Sequence, residues 1–300
     1  MTASLAADYR RLRESVGAVA DVYRAVSIAG TDARRFLQGV LSADVASAEE
    51  GTVLRSLLLT PKGRLVAHLR VAVGEDRIVA ITDAAATDDM VDVLERFRFR
   101  VDARIDPIDA VCTLLYGPGA TGACDLAPGR WRDEGARCLI DVPAVHPGAR
   151  RILVVGGRTD VPPVDPAAYA AVRIEDGEPI SGVDVDVRSI PHETGLVDGA
   201  VSFTKGCYLG QELVSRIETR GHVNRALRGI VAAGGAPIAA GTTVQGLDRD
   251  LGTVTSSAVS PERGAIGMAM VRVEALPGTE VRLQGPDGSR EGTVVALPMR

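Results

Sequence analysis

The sequence predicts an α+β body followed by a small all-β domain. Between residues 52 and 82, three apolar segments rich in β-branched residues are separated by short turns, which is typical of a strand meander. A segment with helical spacing of apolar residues follows over 84–98. Beyond about residue 226, short strands alternate with glycine and proline turns, which is typical of a small barrel or sandwich. We therefore expect an α+β layer in the body and a β-barrel after it.

The first part of the body, residues 1–110, combines strands with two helices. Thr31 or Asp32 stands where an N-terminal cap is expected, just before a short amphipathic run. The predicted elements are a strand over 22–28, a helix carrying Phe36, Leu37, Val40 and Leu41, strands over Val53–Leu59, Leu65–Val73 and 78–81, and a helix over 84–98.

The second part, residues 111–225, repeats the pattern more weakly, and residues 226–300 form the tail domain. In the second part we predict strands over 111–115 and Arg151–Val155, a glycine and proline loop near 117–130, and a helix over 166–174. The tail strands are expected around 228–232, 242–245, 251–259, 264–272, 280–283 and 292–296.

Charge and composition exclude several classes of protein. The net charge is −5 and the pI is about 5.5, and the chain has only 4 Phe, 5 Tyr and 1 Trp, so strong direct binding of nucleic acid is not expected. No apolar run approaches the ~18–20 residues that a membrane-spanning helix requires. These features predict a cytoplasmic, monomeric protein that does not contact membranes.

The four cysteines do not have the spacing of a metal site. They stand at positions 112, 124, 138 and 207, with no C-x-x-C pair. Zinc and cluster sites usually contain ligands in short-range pairs, so we expect no permanently bound metal. Reduced thiols are the default for a cytoplasmic chain of this size.

Lysine is rare in this chain. Among 34 basic residues, Lys62 and Lys205 are the two lysines, and each is followed directly by glycine. A bias toward arginine combined with coincidence is one explanation. The other is that lysine is kept where the planar guanidinium of arginine would not serve.

One segment combines a cysteine, a lysine and several glycines. Apolar residues recur at helical spacing from Leu209 to Ile217, which predicts a helix beginning near Tyr208 or Leu209. Cys207 would then lie at the N-terminal end of that helix, where the free amides and the dipole stabilise a thiolate. Lys205 adds a nearby cation, which also favours the thiolate. A buried, inert cysteine at a helix start is the alternative.

The run 205–212, K-G-C-Y-L-G-Q-E, resembles the K-G-C-[FY]-x-G-Q-E signature of the YgfZ family, folate-binding-fold proteins linked to iron–sulfur cluster assembly and tRNA modification. Segments 30–39, 60–64, 173–184 and 191–196 are similar to further landmarks of the family, in the same order. The resemblance implies two α+β layers around a central folate pocket, followed by a C-terminal β-barrel. This is the fold of the T-protein of glycine cleavage.

The resemblance also implies a set of site residues. Cys207 would be the working thiol, as a transient cluster ligand or a redox group, with Lys205 beside it. Tetrahydrofolate is the implied cofactor, and Glu175 matches the position at which a carboxylate accepts the pterin N–H groups. The other implied folate-binding residues are Lys62, Tyr208, Gln211, Glu212, Arg216, Arg225 and His192. A solvated helix-end carboxylate is the alternative for Glu175, and a structural histidine is the alternative for His192.

Three functions follow from this resemblance. The first is assembly or repair of iron–sulfur clusters in client enzymes, with those enzymes or assembly proteins as partners. The second is folate-dependent aminomethyl transfer, as in T-proteins, which carry an acidic pair where this chain has Gly63 to His68 and tend to have Asp in place of Cys207. His68 is a poor substitute for a fixed negative charge. The third is a folate sensor or scaffold without chemistry.

Overall fold

The computed structural model describes residues 3–135, 137–246, 248–286 and 288–299. Residue 1, where the predicted first domain begins, and residue 300, where the predicted tail domain ends, lie outside the described residues. The helices are α1 (Ala3–Glu14), α2 (Ala33–Val40), α3 (Thr87–Phe97), α4 (Ala120–Cys124), α5 (Pro166–Glu175) and α6 (Gln211–Arg220). The strands of the body are β1 (Gly17–Ala20), β2 (Tyr23–Ala29), β3 (Val53–Leu59), β4 (Leu65–Val73), β5 (Arg77–Asp83), β6 (Arg104–Pro107), β7 (Cys112–Tyr116), β8 (Trp131–Asp133), β9 (Cys138–Asp141) and β10 (Arg151–Val155). The tail contributes β11 (Arg225–Ala232), β12 (Thr243–Gln245), β13 (Asp250–Ser260), β14 (Gly264–Arg272), β15 (Glu280–Gly285) and β16 (Gly288–Val295).

The first sheet contains the predicted meander. Its five strands run in the order β3-β4-β5-β2-β6, and all of the pairings are antiparallel. The predicted limits of β3 and β4 agree with the structure, and the helix expected over 84–98 is α3 with a short 3-10 turn before it. Helices α2 and α3 cover one face of this sheet, and their apolar residues form a cluster with that face. The opposite face lies toward the second sheet.

The central strand β4 is buried on both faces. Leu69, Val71 and Val73 belong to the core beneath α2 and α3, whereas Ala72 belongs to the core between the two sheets. Because side chains alternate along a strand, His68 and Arg70 share the face of Ala72. Both side chains are fully buried, so a histidine and an arginine lie in the interior between the sheets.

The second sheet has the strand order β1-β7-β10-β9-β8, and helices α1 and α5 pack together against the body. The strands 111–115 and Arg151–Val155 and the helix over 166–174 were predicted and are found as β7, β10 and α5. Helix α1 was not predicted. It buries Tyr9 and Leu12 among arginines, and this narrow apolar stripe gives little helical signal.

A closed antiparallel barrel with the order β11-β14-β13-β12-β15-β16 follows the body. The six predicted tail strands correspond to these six, and the α+β body with a C-terminal barrel is confirmed. Helix α5 packs on β13 and β14, and the Met299 amide donates to the Glu175 carbonyl at 2.7 Å, so the barrel is joined to the body. Among the described residues, no helix is long and apolar enough to cross a membrane.

Candidate functional site

The loop before α6 carries the cysteine motif. It is tied to the segment after α2, because the Ser202 amide donates to the Ser42 carbonyl at 2.9 Å and the Leu209 amide donates to the Gly39 carbonyl at 3.0 Å. Helix α6 begins at Gln211, so the helix start predicted at residue 208 or 209 is wrong.

The later start of α6 changes where the Cys207 thiol lies relative to the helix. Gly210, the residue before the helix, adopts the left-handed conformation with a φ of 78°, so the right-handed helix begins only at the next residue. Cys207 therefore lies in the loop, four residues before the first helical residue, and not at the end of the helix.

Lys205 binds backbone oxygens at the C-terminal end of α2. Its ammonium donates to the carbonyl oxygens of Gln38, Leu41 and Ala43 at 2.6, 2.7 and 2.8 Å. The ring of Tyr208 lies 5.3 Å from the same nitrogen. Carbonyls at a helix C-terminus lack intrahelical partners and attract cations, so the three hydrogens of the ammonium are all used there.

The partners of the Lys205 ammonium are these three carbonyl oxygens and not the Cys207 thiol. Burial lowers the pKa of Lys205 to about 8, so it remains protonated at pH 7. Three convergent oxygens suit a compact ammonium with three donors better than a planar guanidinium. This contact supplies a physical reason for lysine at position 205.

Two glycines bring the second lysine next to the motif. Gly63, at the tip of the β3–β4 hairpin, and Gly210 both have positive φ angles. A Cβ added to Gly63 would lie 2.6 Å from the Cβ of Leu213, and one added to Gly210 would lie 2.5 Å from the Thr60 carbonyl oxygen. The hairpin that carries the exposed Lys62 is therefore packed directly against the start of α6.

Cys207 differs from the other cysteines in exposure. Cys112 and Cys138 are buried, Cys124 is half-buried, and Cys207 is exposed. Burial raises the pKa of Cys112 and of Cys124, and it raises the pKa of Cys138 to about 11. The thiol that an external molecule can reach most easily is therefore that of Cys207.

The remaining predicted folate residues near the motif lie on the surface around α6. Gln211 is the first residue of α6, and Glu212 and Arg216 extend from its exposed side. His192 Nε2 lies 3.2 Å from a carboxylate oxygen of Glu218 on the same helix. Arg225 forms two hydrogen bonds with Glu193, at 2.9 and 3.1 Å.

Glu175 is not solvated, because it lies buried between α5 and α1. One of its carboxylate oxygens, Oε2, accepts a hydrogen bond from the Tyr9 hydroxyl at 2.8 Å and another from Arg13. The other oxygen, Oε1, is buried and has no hydrogen-bond partner among the described residues. The Tyr208 hydroxyl is also buried and unpartnered, and burial raises its pKa to about 12.

A polar cluster between the two sheets was not predicted from the sequence. Glu178 accepts from Arg151 at 2.8 Å and from the Val145 amide at 2.5 Å, and Arg70 lies 3.5 Å away. Burial opposes the ionisation of Glu178, but Arg151 and Arg70 outweigh it and hold the pKa of this carboxyl below its ordinary value. A charged residue within a fully buried strand, such as Arg70 in β4, was the available signal.

Comparisons with known proteins define the fold class of this chain. The chain matches the GCVT N-terminal domain over residues 1–123 and the glycine cleavage T-protein C-terminal barrel domain over residues 225–299. The crystal structure of glycine cleavage system aminomethyltransferase T from Bartonella henselae is similar, with a TM-score of 0.87 and 19% identity, covering 99% of this chain and 89% of that one. The protein therefore has the fold of the glycine cleavage T-protein.

Curated relatives within this class share sequence with the chain. The tRNA-modifying protein YgfZ of Escherichia fergusonii is 28% identical over 227 residues, and that of Enterobacter sp. is 29% identical over 228 residues. Each alignment covers 69% of this chain and 69% of the relative. Together with the two domain matches, these relatives show that the chain is similar to YgfZ proteins and shares the domain order of the glycine cleavage T-protein.

Proposed function

We propose that this protein binds tetrahydrofolate and assists the assembly or repair of iron–sulfur clusters in client enzymes, including radical enzymes that thiolate tRNA. Cys207 is the working thiol and serves as a transient ligand of the cluster, which is cargo. The partners are the client enzymes or the proteins that build their clusters. The name of the curated relatives, tRNA-modifying protein YgfZ, supports the choice of client.

The observation that carries the proposal is an exposed thiol on a fixed backbone. Cys207 is exposed, and Lys205, two residues earlier, is anchored by three hydrogen bonds. A Cβ added to Gly206 would meet nothing within 4 Å, so the space beside the thiol is open. A cluster on another protein can approach such a thiol without rearrangement of this chain.

Folate fits the buried polar atoms of two predicted residues. A pterin presents adjacent N–H donors and a carbonyl oxygen, and Glu175 Oε1 and the Tyr208 hydroxyl are buried without partners. Glu175 would accept from a pterin N–H, and Tyr208 would donate to a ring acceptor. Bound tetrahydrofolate supplies a reduced pterin that carries one-carbon units. Arg216, on the exposed side of α6, would bind one carboxylate of the anionic tail.

Aminomethyl transfer is less well supported by the residues of this chain. Burial, followed by Arg70 and Arg55, holds the pKa of His68 well below its ordinary value, so this side chain is neutral at pH 7. His68 Nε2 is also occupied by Arg55 Nε at 3.4 Å. No carboxylate replaces the acidic pair in the segment 63–68.

The thiol role is tested with Cys207→Ser in cells that lack the native protein. The activity of an iron–sulfur enzyme that thiolates tRNA is expected to fall to the level of the deletion strain, while the thermal midpoint of the purified variant stays unchanged. Cys124→Ser is the matched control, because that thiol is half-buried at the end of α4 and lies outside the cysteine motif. Full activity of Cys207→Ser would overturn the thiol role and favour a folate sensor or scaffold.

The folate role is tested by calorimetric titration with tetrahydrofolate. Tyr208→Phe removes a hydroxyl that has no hydrogen-bond partner among the residues described, so the fold is expected to be as stable as before or more stable. Folate affinity is expected to fall about tenfold, which corresponds to one hydrogen bond of about 1.4 kcal/mol. Glu175→Gln is expected to weaken folate binding further. Unchanged affinity in both variants would contradict the assignment.

A further inference from the structure

Three arginines project into the interior between the two sheets. Arg55 on β3 and Arg70 on β4 are direct cross-strand partners in the antiparallel register, and the strand alternation places both on the inter-sheet face. Arg151 on β10 comes from the second sheet and lies 2.8 Å from Glu178, the same carboxylate that Arg70 approaches. Like charges directly opposite each other on neighbouring strands repel, so this arrangement requires negative charge nearby.

The protein itself supplies too little of that charge. The side chains of Arg70 and Arg151 are each 1% exposed, so solvent does not screen them. Glu178 contacts both. Asp83 and Asp141 are also buried near the cluster, but burial raises the pKa of each carboxyl despite the nearby arginines, and Asp141 is paired with Arg150 at 2.9 Å. Among the described residues, the ion pairs of these three arginines all involve Glu178, so three guanidinium groups share one directly paired carboxylate.

The donors of the cluster are also incompletely used. Within the part of the chain that the structure describes, Nε and Nη1 of Arg70 and Nε and Nη2 of Arg151 are buried and have no hydrogen-bond partner. Nδ1 of His68, on the same face of β4 as Arg70, is likewise unpartnered. Buried donors are normally satisfied, and charged ones most of all. Five orphaned nitrogens on three neighbouring side chains indicate a missing acceptor.

Arg55 marks the side from which an acceptor would enter. It is the partly exposed member of the three, and it bridges two loops. One nitrogen lies 3.3 and 3.4 Å from the carbonyl oxygens of Ala144 and Val145, and the other lies 3.5 Å from that of Leu196. These are long contacts, and an anion with better geometry would replace them.

We infer that Arg55, Arg70 and Arg151 form an oxyanion-binding site, which takes a carboxylate or a phosphate-like group. This site goes beyond the folate proposal, because its evidence is the excess of buried positive charge and the orphaned donors. The oxyanion is either a free one or a carboxylate of the folate tail, and the two sources share the chemistry of several acceptor oxygens around one negative charge.

The first experiment uses Glu178→Gln, which keeps the shape of the side chain and removes its charge. Thermal unfolding is measured in inorganic phosphate and in sodium chloride at equal ionic strength. The midpoint of the native protein is expected to be higher in phosphate, and the increase is expected to be larger for Glu178→Gln, because the vacated charge is replaced from solution. In Arg55→Gln the apparent Kd for phosphate is expected to rise about tenfold.

Arg55→Gln is preferred to changes at the fully buried arginines because its partly exposed side chain tolerates substitution. Arg228→Gln is the control, since Arg228 Nε is also buried and unpartnered but belongs to the barrel strand β11. Arg228→Gln is expected to respond to phosphate as the native protein does.

The second experiment separates the two sources. Titrations compare tetrahydrofolate with a reduced pterin that lacks the glutamyl tail, on the native protein and on Arg55→Gln. If the tail is the oxyanion, Arg55→Gln weakens folate about tenfold but leaves the pterin unchanged, and phosphate competes with folate. If the oxyanion is free, phosphate and folate bind together.

A purely structural cluster predicts a different result. Glu178→Gln would then be destabilised without rescue by phosphate, and Arg55→Gln would bind folate as the native protein does. Those two results together overturn the oxyanion site. Failure of the native protein to bind folate would overturn the folate proposal alone, since the phosphate measurement does not involve folate.

Discussion

Lys205→Met is expected to destabilise the protein and to loosen the loop that carries the thiol. The substitution keeps an apolar stem of similar length and removes the nitrogen that binds three carbonyl oxygens at 2.6, 2.7 and 2.8 Å. A hydrogen bond to a charged group contributes about 1.5–3 kcal/mol. The contributions are not additive, and the half-buried ammonium loses part of its hydration in the native state. We therefore expect a loss of about 3 kcal/mol.

The assay is urea unfolding followed by circular dichroism, with the free energy of unfolding extrapolated to water. The chain contains its own control, because the other lysine, Lys62, is exposed. Lys62→Met is expected to change stability by no more than about 0.5 kcal/mol. Lys205→Arg is expected to restore only part of the stability, since a planar guanidinium cannot direct three donors to one point.

A second measurement tests the role of Lys205 in positioning the loop. The rate at which iodoacetamide alkylates Cys207 is expected to change in Lys205→Met and to remain at the native value in Lys62→Met. If Lys205→Met unfolds at the native urea concentration and is alkylated at the native rate, the three carbonyl contacts do not hold the loop, and the assignment of Lys205 is wrong.

Two further predictions concern His68 and Gly210. Because burial and the neighbouring arginines hold the pKa of His68 well below 6.5, unfolding takes up a proton below that pH, and stability falls on acidification by up to about 1.4 kcal/mol per pH unit. His68→Gln should flatten urea-unfolding stability between pH 6.5 and 5, whereas a change at the exposed His222 should not; equal slopes in both would contradict this. Gly210→Ala should cost about 2 kcal/mol or more, because φ is 78° and the new Cβ would lie 2.5 Å from a carbonyl oxygen. Gly206→Ala, in open space, is its control, and equal stability of the two would refute the argument.

The alternation of side chains predicted most of the fold. The meander of β3, β4 and β5 and the six strands of the barrel are visible in the sequence because their apolar residues and turns follow the simple periods of strands. Helix α1 has a narrow buried stripe between arginines and gives no comparable pattern. Its fold depends on contacts with α5, which sequence spacing does not reveal.

The candidate site could be predicted only in part, because contacts between distant segments also shape it. The apolar spacing that begins at Leu209 continues through a non-helical turn, and the true helix start is fixed by the packing of Gly210 against the β3–β4 hairpin. Such a contact between distant segments has no local signature. The rarity of lysine draws attention to position 205, but the sequence does not indicate that its partners are carbonyl oxygens of the segment 38–43.

Cys207 and Tyr208 connect the surface of the protein with its interior. Cys207 is exposed, whereas Tyr208 is 6% exposed and packs in the core between the two sheets with its hydroxyl unpartnered. Adjacent residues thus face the two environments that the proposed function requires, one for a client enzyme and one for a ligand inside the body. Because Lys205 fixes the backbone just before them and Gly210 fixes it just after, a displacement of the Tyr208 ring by a ligand cannot be absorbed by the loop ends. In the function proposed above, a ligand that displaced the Tyr208 ring would therefore act on the backbone of the adjacent Cys207.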